Sequence, residues 1–225
     1  MATRALVAEL AAAWRTASGI EVAFESIGGV DAVGRLDKGE RYDVAMLDAE
    51  ALEGLAARGR VLAHSVAPVA RSPVAIAVRA GAPRPDVASE AALRRAVLEA
   101  RSIGHSTGPS GRALLRLFER WGILEAVRPR LVQAAPGVAV ASLVAAGEAD
   151  LGFQQRSEML GVAGIERLGP MPPGCEIVSV FSAAVCTASA NPQAAYAFVG
   201  FLRSPQVAGA IRRHGMEPAS QETAA

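Results

Sequence analysis

The chain has 225 residues, half of them apolar and a fifth charged, which is enough apolar surface to bury a sizeable core and argues against disorder. Its 23 basic and 22 acidic side chains leave a net charge of +1, and only 4% of residues are aromatic. Such a chain lacks the basic excess and the stacking platforms of a nucleic-acid binder.

Apolar residues come in short runs, well below the roughly 20 residues that span a bilayer. Met1 to Ser18 carries Arg4, Glu9 and Arg15 along its length, so no export signal is read there. Leu6, Leu10, Ala13, Trp14 and Ala17 recur at helical spacing and predict a first helix stopped by Ser18-Gly19; Ile20 to Glu25 alternates as a strand does. A helix over 30–37, a strand over 42–47 and a helix over 49–58 follow, then a buried strand over 73–78. Beyond the turn-rich Gly81 to Pro85 the pattern predicts helix 89–100, strand 102–105, helix 111–120, strand 130–134, helix 138–146 and strand 150–154. Gly169 to Gly174 is a second break. An extended run from Cys175 to Cys186 then precedes helices opened by Asn191-Pro192 and Ser204-Pro205.

This alternation predicts an α/β protein with mostly parallel sheets covered by helices. Two lobes are expected, residues 1–77 with 182–225 and residues 78–181. Later helices each follow a strand, so the helix at the start implies that a first strand is missing, by truncation or removal. The cysteines are read as two buried thiols, without the partner spacing of a zinc site.

Three loops share one form, in which a strand ends, a Gly- or Ser-rich turn follows and a helix begins. They contain Ser26, Gly28 and Gly29; Ser106, Thr107, Ser110 and Gly111; and Gly137 and Val138. At the carboxyl ends of strands, unpaired helix N–H groups and the helix dipole favour an anion, which hydroxyls supplement and glycine lets approach. The same residues also serve as ordinary caps and turn formers.

In its motifs the chain resembles the type II periplasmic binding proteins, in particular the molybdate-binding-protein-like group of ABC-transporter substrate-binding proteins. The resemblance rests on Ala11 to Val22, Gly39 to Asp48, Arg71 to Gly81, Gly147 to Gln155 and Phe201 to Pro205, in that order. It implies a two-lobed fold with the ligand between the lobes, held by Ser26 to Val30, Ser110-Gly111, Gly137-Val138 and Gln155. It also implies a monomer without cofactor, working in the periplasm with an ABC-transporter membrane component as partner; the chain as written, lacking an export signal, leaves the cytoplasm as the alternative. Ile27-Gly28-Gly29 stands where molybdate binders have a serine-rich stretch, and Gln155 where they have a tyrosine.

The expected ligand is therefore a small oxyanion or carboxylate, the latter drawing on Arg71 or Arg112. Some members of the group are isomerases of small tricarboxylates such as aconitate, and His105, Asp48 and Glu25 are then the acid–base candidates. Gly104-His-Ser-Thr-Gly108, with Asp150 and His214 in hydrolase order, leaves a serine hydrolase as a third reading.

Overall fold

The computed structural model describes residues 2–135 and 137–219. In chain order its elements are α1 (Arg4–Ser18), α2 (Gly29–Asp37), β1 (Val44–Asp48), α3 (Ala49–Ala57), β2 (Ala67–Arg79), α4 (Glu90–Glu99), β3 (Ile103–His105), α5 (Pro109–Arg120) and α6 (Leu124–Val127). There follow β4 (Leu131–Gln133), α7 (Val140–Ala146), β5 (Leu151–Gln155), α8 (Arg156–Met159), β6 (Ile165–Pro170), β7 (Val178–Val185), α9 (Pro192–Leu202), α10 (Ala208–Arg213) and β8 (Glu217–Pro218). The chain divides into two compact units, Met1–Ser72 with Val180–Ala225, and Pro73–Ser179. Strands β2 and β7 each run through a boundary between them, five and two residues before the boundaries expected from sequence.

In the first unit β1 pairs antiparallel with β7, and β8 pairs antiparallel with the start of β2. Leu6 and Leu10, four apart on α1, bury against Val69, Val185, Val199 and Ile211, and Trp14 packs its ring on Phe198 and Phe201. Leu52 and Leu55 of α3 close a second cluster with Leu36 and Val61. Helix α3 is capped by Asp48, whose carboxylate accepts from the Glu50 N–H.

One expected strand does not form. Ile20 to Glu25 has the alternating pattern, with Val22 against the core and Ile20 and Phe24 facing out, but no strand of the described residues pairs with it. Alternation supplies only the side-chain half of a strand; its N–H and C=O groups need a neighbouring backbone. Side chains hold the segment instead. Arg35 donates to Glu25 at 2.6 Å and to Glu40 at 2.6 Å, and the Tyr42 hydroxyl donates to Glu25 at 2.9 Å.

In the second unit β3 pairs in parallel with β4 on one side and β5 on the other. The far half of β2 adds antiparallel to β5 and to β6, a strand with no expectation from sequence. One face of this sheet buries Leu114 and Phe118 of α5 with Leu93, Val97, Ile103 and Phe153; the other face meets α7 through Val140, Ala141 and Val144. The α7 face is packed so closely that a side chain at Gly152 would meet Val144 at 2.4 Å.

Candidate functional site

Parallel strands β4, β3 and β5 bring their carboxyl ends, Gln133, His105 and Gln155, to one edge of the second unit. Period-two alternation sorts what stands there. Gly104 and Gly152 lie against Val140 or Val144 of α7, and Gln154 accepts from the Ala141 N–H of that helix at 2.9 Å. Their neighbours His105, Phe153 and Gln155 are therefore on the opposite face, where the Phe153 ring meets Phe118 of α5 edge-on at 6.2 Å. Helix α5 starts just beyond β3 and returns toward β4, so its N-terminus lies over the same edge.

That N-terminus is left open by its own sequence. Its cap is Gly108, which has no side chain to accept a bond, and Pro109 follows at the first helical position. The Arg112 N–H turns back to Gly108 at 3.1 Å, whereas among the described residues no acceptor faces the N–H groups of Ser110 and Gly111. The hydroxyls of Ser106 and Ser110 stand 3.1 Å apart and share one bridging proton, so the other proton stays free to donate. Gly111 makes this approach possible: a Cβ there would lie 1.8 Å from the Ser106 carbonyl oxygen.

His105 is 4% exposed, and burial pulls its pKa below the usual imidazole range. Its Nδ1 is 3.1 Å from the Ser106 carbonyl, an acceptor only, so Nδ1 carries the proton and Nε2 keeps the lone pair. Gln155, also 4% exposed, donates from Nε2 to the Ser179 hydroxyl at 2.7 Å, and its Oε1 is buried without a partner among the described residues. Arg112 is exposed in the first turn of α5 and, like Arg71 on β2, enters no ion pair among the described residues. No group of three or more His, Cys, Asp and Glu suited to a metal occurs among the described residues.

The family profile of the bacterial extracellular solute-binding proteins matches residues 1–217. The chain belongs to that family. An aconitate isomerase from a Pseudomonas species is 34% identical over 220 residues, covering 94% of this chain and 83% of the relative. In fold, the solute-binding protein is similar to the periplasmic molybdate-binding protein of Azotobacter vinelandii, with a TM-score of 0.78 at 22% identity over 95% of this chain and 94% of that one. It is equally similar to the sulfate-binding protein of Mycobacterium tuberculosis H37Rv, with a TM-score of 0.78 at 16% identity over 98% and 84%. The two-lobed periplasmic-binding-protein fold expected from sequence is the one these neighbours have.

The ten residues expected to face a ligand fall into distinct groups in the solute-binding protein. Ser106, Ser110, Gly111 and Gln155 share the edge just described, with Thr107 exposed in the loop between. Gly137 and Val138 do not open a helix. Helix α7 begins at Val140, the Val138 N–H is bonded to Ala135, and Gln154 already serves the α7 N-terminus; Pro136 of the same loop lies outside the described residues. Ser26, Gly28 and Gly29 belong to the first unit, where α2 brings its own acid. The Asp31 carboxylate lies 3.2 Å from where a Gly28 side chain would begin, so negative charge already faces that helix end.

The hydrolase arrangement is not formed. Asp150 stands at the amino end of β5, bonded to Ser102 and paired with Arg101 at 2.9 Å, while Ser106 follows the carboxyl end of the parallel neighbour β3. Four strand residues separate those levels, about 13 Å. The His214 ring bonds Glu9 at 2.8 Å. Sequence reasoning passed over Ser179, which no turn, motif or periodicity marks.

Proposed function

We propose that this solute-binding protein holds a small carboxylate or oxyanion at the first turn of α5, as the receptor of an ABC-transporter membrane component in the periplasm. The observation that carries the reading is the set of unspent donors there: two main-chain N–H groups, a free hydroxyl proton from the Ser106–Ser110 pair, and the unpaired Arg112 one residue on. Neutral donors suit an oxyanion, and the added guanidinium favours a carboxylate. The isomerase relative, named for a tricarboxylate, points the same way. Titration calorimetry with citrate, trans-aconitate, sulfate, phosphate and molybdate tests this. Heat is expected with at least one tricarboxylate, and it should fall at least tenfold in affinity in Gly111→Ala. Silence with all five anions refutes the reading.

His105 favours a second reading, isomerisation of the bound acid. Burial keeps the ring neutral near pH 7, the Ser106 carbonyl fixes the proton on Nδ1, and the Nε2 lone pair is then a base beside the same donors. Its substrate would be an unsaturated tricarboxylate, on which Nε2 takes a proton from the methylene carbon as the double bond shifts toward that carbon, and returns it to the far alkene carbon, two carbons away. Proton NMR of trans-aconitate with the protein follows the cis isomer directly. Turnover lost in His105→Gln with binding retained supports catalysis; binding without turnover in the wild type leaves a receptor alone.

A further inference from the structure

Ser179 lies 24 residues from Gln155 in sequence, at the start of β7 and buried, and its hydroxyl is the one partner of the Gln155 amide among the described residues. The other end of that amide has no partner among the described residues. An amide donates at one end and accepts at the other, and a hydroxyl does both, so Ser179 satisfies whichever end it is given. A side-chain amide and its 180° flip occupy the same space. The free end therefore adapts: it presents oxygen when Nε2 is on Ser179, and N–H when the Ser179 O–H donates to Oε1.

Placement gives this end a use. Gln155 is on the α5 face of β5, two residues beyond Phe153 and so about 7 Å further toward the strand ends. Phe118, which touches Phe153, is nine residues into α5, about 13 Å from the helix start. The amide thus stands on the face and at the end where the open turn of α5 lies. It is a buried polar group kept at a cost of desolvation by a fold that answers only half of it.

Resting on the proposed anion site, we infer that Ser179 is a positioning residue for ligand recognition, holding the Gln155 amide with its free end toward the ligand. With an ionised oxygen bound, the amide presents N–H to the ligand and Oε1 accepts from Ser179.

The test is a double-mutant cycle on ligand affinity, read by calorimetry with citrate and trans-aconitate on the whole protein. Gln155→Met and Ser179→Ala should each weaken binding about tenfold. The double variant should be no weaker than Gln155→Met alone, because Ser179 acts only through the amide. Ser179→Thr, which keeps the hydroxyl, should restore binding, and thermal unfolding confirms that each variant is folded. The Gln155 side-chain 15N resonance should shift on ligand addition in the wild type and lose that shift in Ser179→Ala. Unchanged affinity in Ser179→Ala, or losses that multiply to about a hundredfold in the double variant, overturns the role of Ser179 while leaving the anion site standing. No binding by the wild type removes the site itself, and this inference with it.

Discussion

Gly111→Ala puts the packing at the start of α5 under direct test. A glycine inside a helix ordinarily gains about 0.5–1 kcal/mol of stability when replaced by alanine, since the unfolded chain loses freedom. Gly34 on α2 is such a place: nothing lies within 4 Å of its added Cβ, and Gly34→Ala should raise the unfolding free energy read from urea titration by that amount. At Gly111 the sign reverses. The new methyl would sit 1.8 Å from the Ser106 carbonyl oxygen and 2.8 Å from its carbon, main-chain atoms with no rotamer to escape through. The Ser106 peptide must retreat by about 1.6 Å to reach ordinary contact, a shift that breaks the 3.1 Å Ser106–Ser110 bond and the His105 bond to Ser106. A clash this close with main-chain atoms belongs in the upper part of the overpacking range, about 2–3 kcal/mol, which outweighs the helix gain and leaves a net loss of about 1–2.5 kcal/mol. For a chain of this length that is roughly 2–10 °C in Tm. Paired urea titrations of Gly34→Ala and Gly111→Ala, with citrate affinity measured alongside, decide the matter. A Gly111→Ala protein as stable as Gly34→Ala, with unchanged anion affinity, would falsify the packing argument.

Three further perturbations follow from the same geometry. Burial lowers the His105 pKa in the fold, so the unfolded chain binds the extra proton first: stability is complete above about pH 6.5 and is lost as pH falls from there through the folded value, and the loss should shrink in His105→Gln when urea midpoints are compared at pH 7 and 5. Asp150→Asn removes a carboxylate whose pKa is lowered first by Arg101; with the arginine mostly exposed, the cost should be only about 0.5–1 kcal/mol, and anion affinity should not change. Burial first, and then the Glu25 carboxylate, push the Tyr42 phenol up to about 12, so ultraviolet titration should show a tyrosine ionising near there that moves down in Glu25→Gln.

Much of the alternation was legible because it needs only local information. The heptad-like spacing of Leu6 and Leu10, the stop at Gly19 and the apolar run of β1 are read within a window of a few residues. What escaped were features fixed by distant partners. Ile20 to Glu25 reads as a strand until its missing neighbour is seen. Strand β2 starts at Ala67, well before the expected 73, because it draws partners from β8, β5 and β6 in turn, and Pro68 and Pro73 hide that continuity in the sequence. The site divides the same way. Ser106, Ser110 and Gly111 were visible as turn chemistry, whereas three similar loops could not be ranked: Asp31 already faces the end of α2, and Gln154, thirteen residues from Ala141, already serves the start of α7.

Gln154 and Gln155 make the sharpest use of that distinction, since their side chains are the same, their positions adjacent, and the strand face differs. Gln154 is turned to α7, where its Oε1 takes the Ala141 N–H in a buried bond. Gln154→Ala should therefore leave a helix donor unanswered and lower stability by about 1–3 kcal/mol, while citrate affinity stays within a few-fold of the wild type. Gln155 is turned to α5 with half its amide unspent, so Gln155→Ala gives up one bond to Ser179 and relieves an unpaired oxygen. Its stability cost should be the smaller of the two and its affinity cost the larger. Measured together by urea unfolding and calorimetry, the pair must separate in opposite senses. If both variants lose stability alike and bind alike, then the face of β5 does not determine what its end residues do, and the placement of the anion site on the α5 side fails.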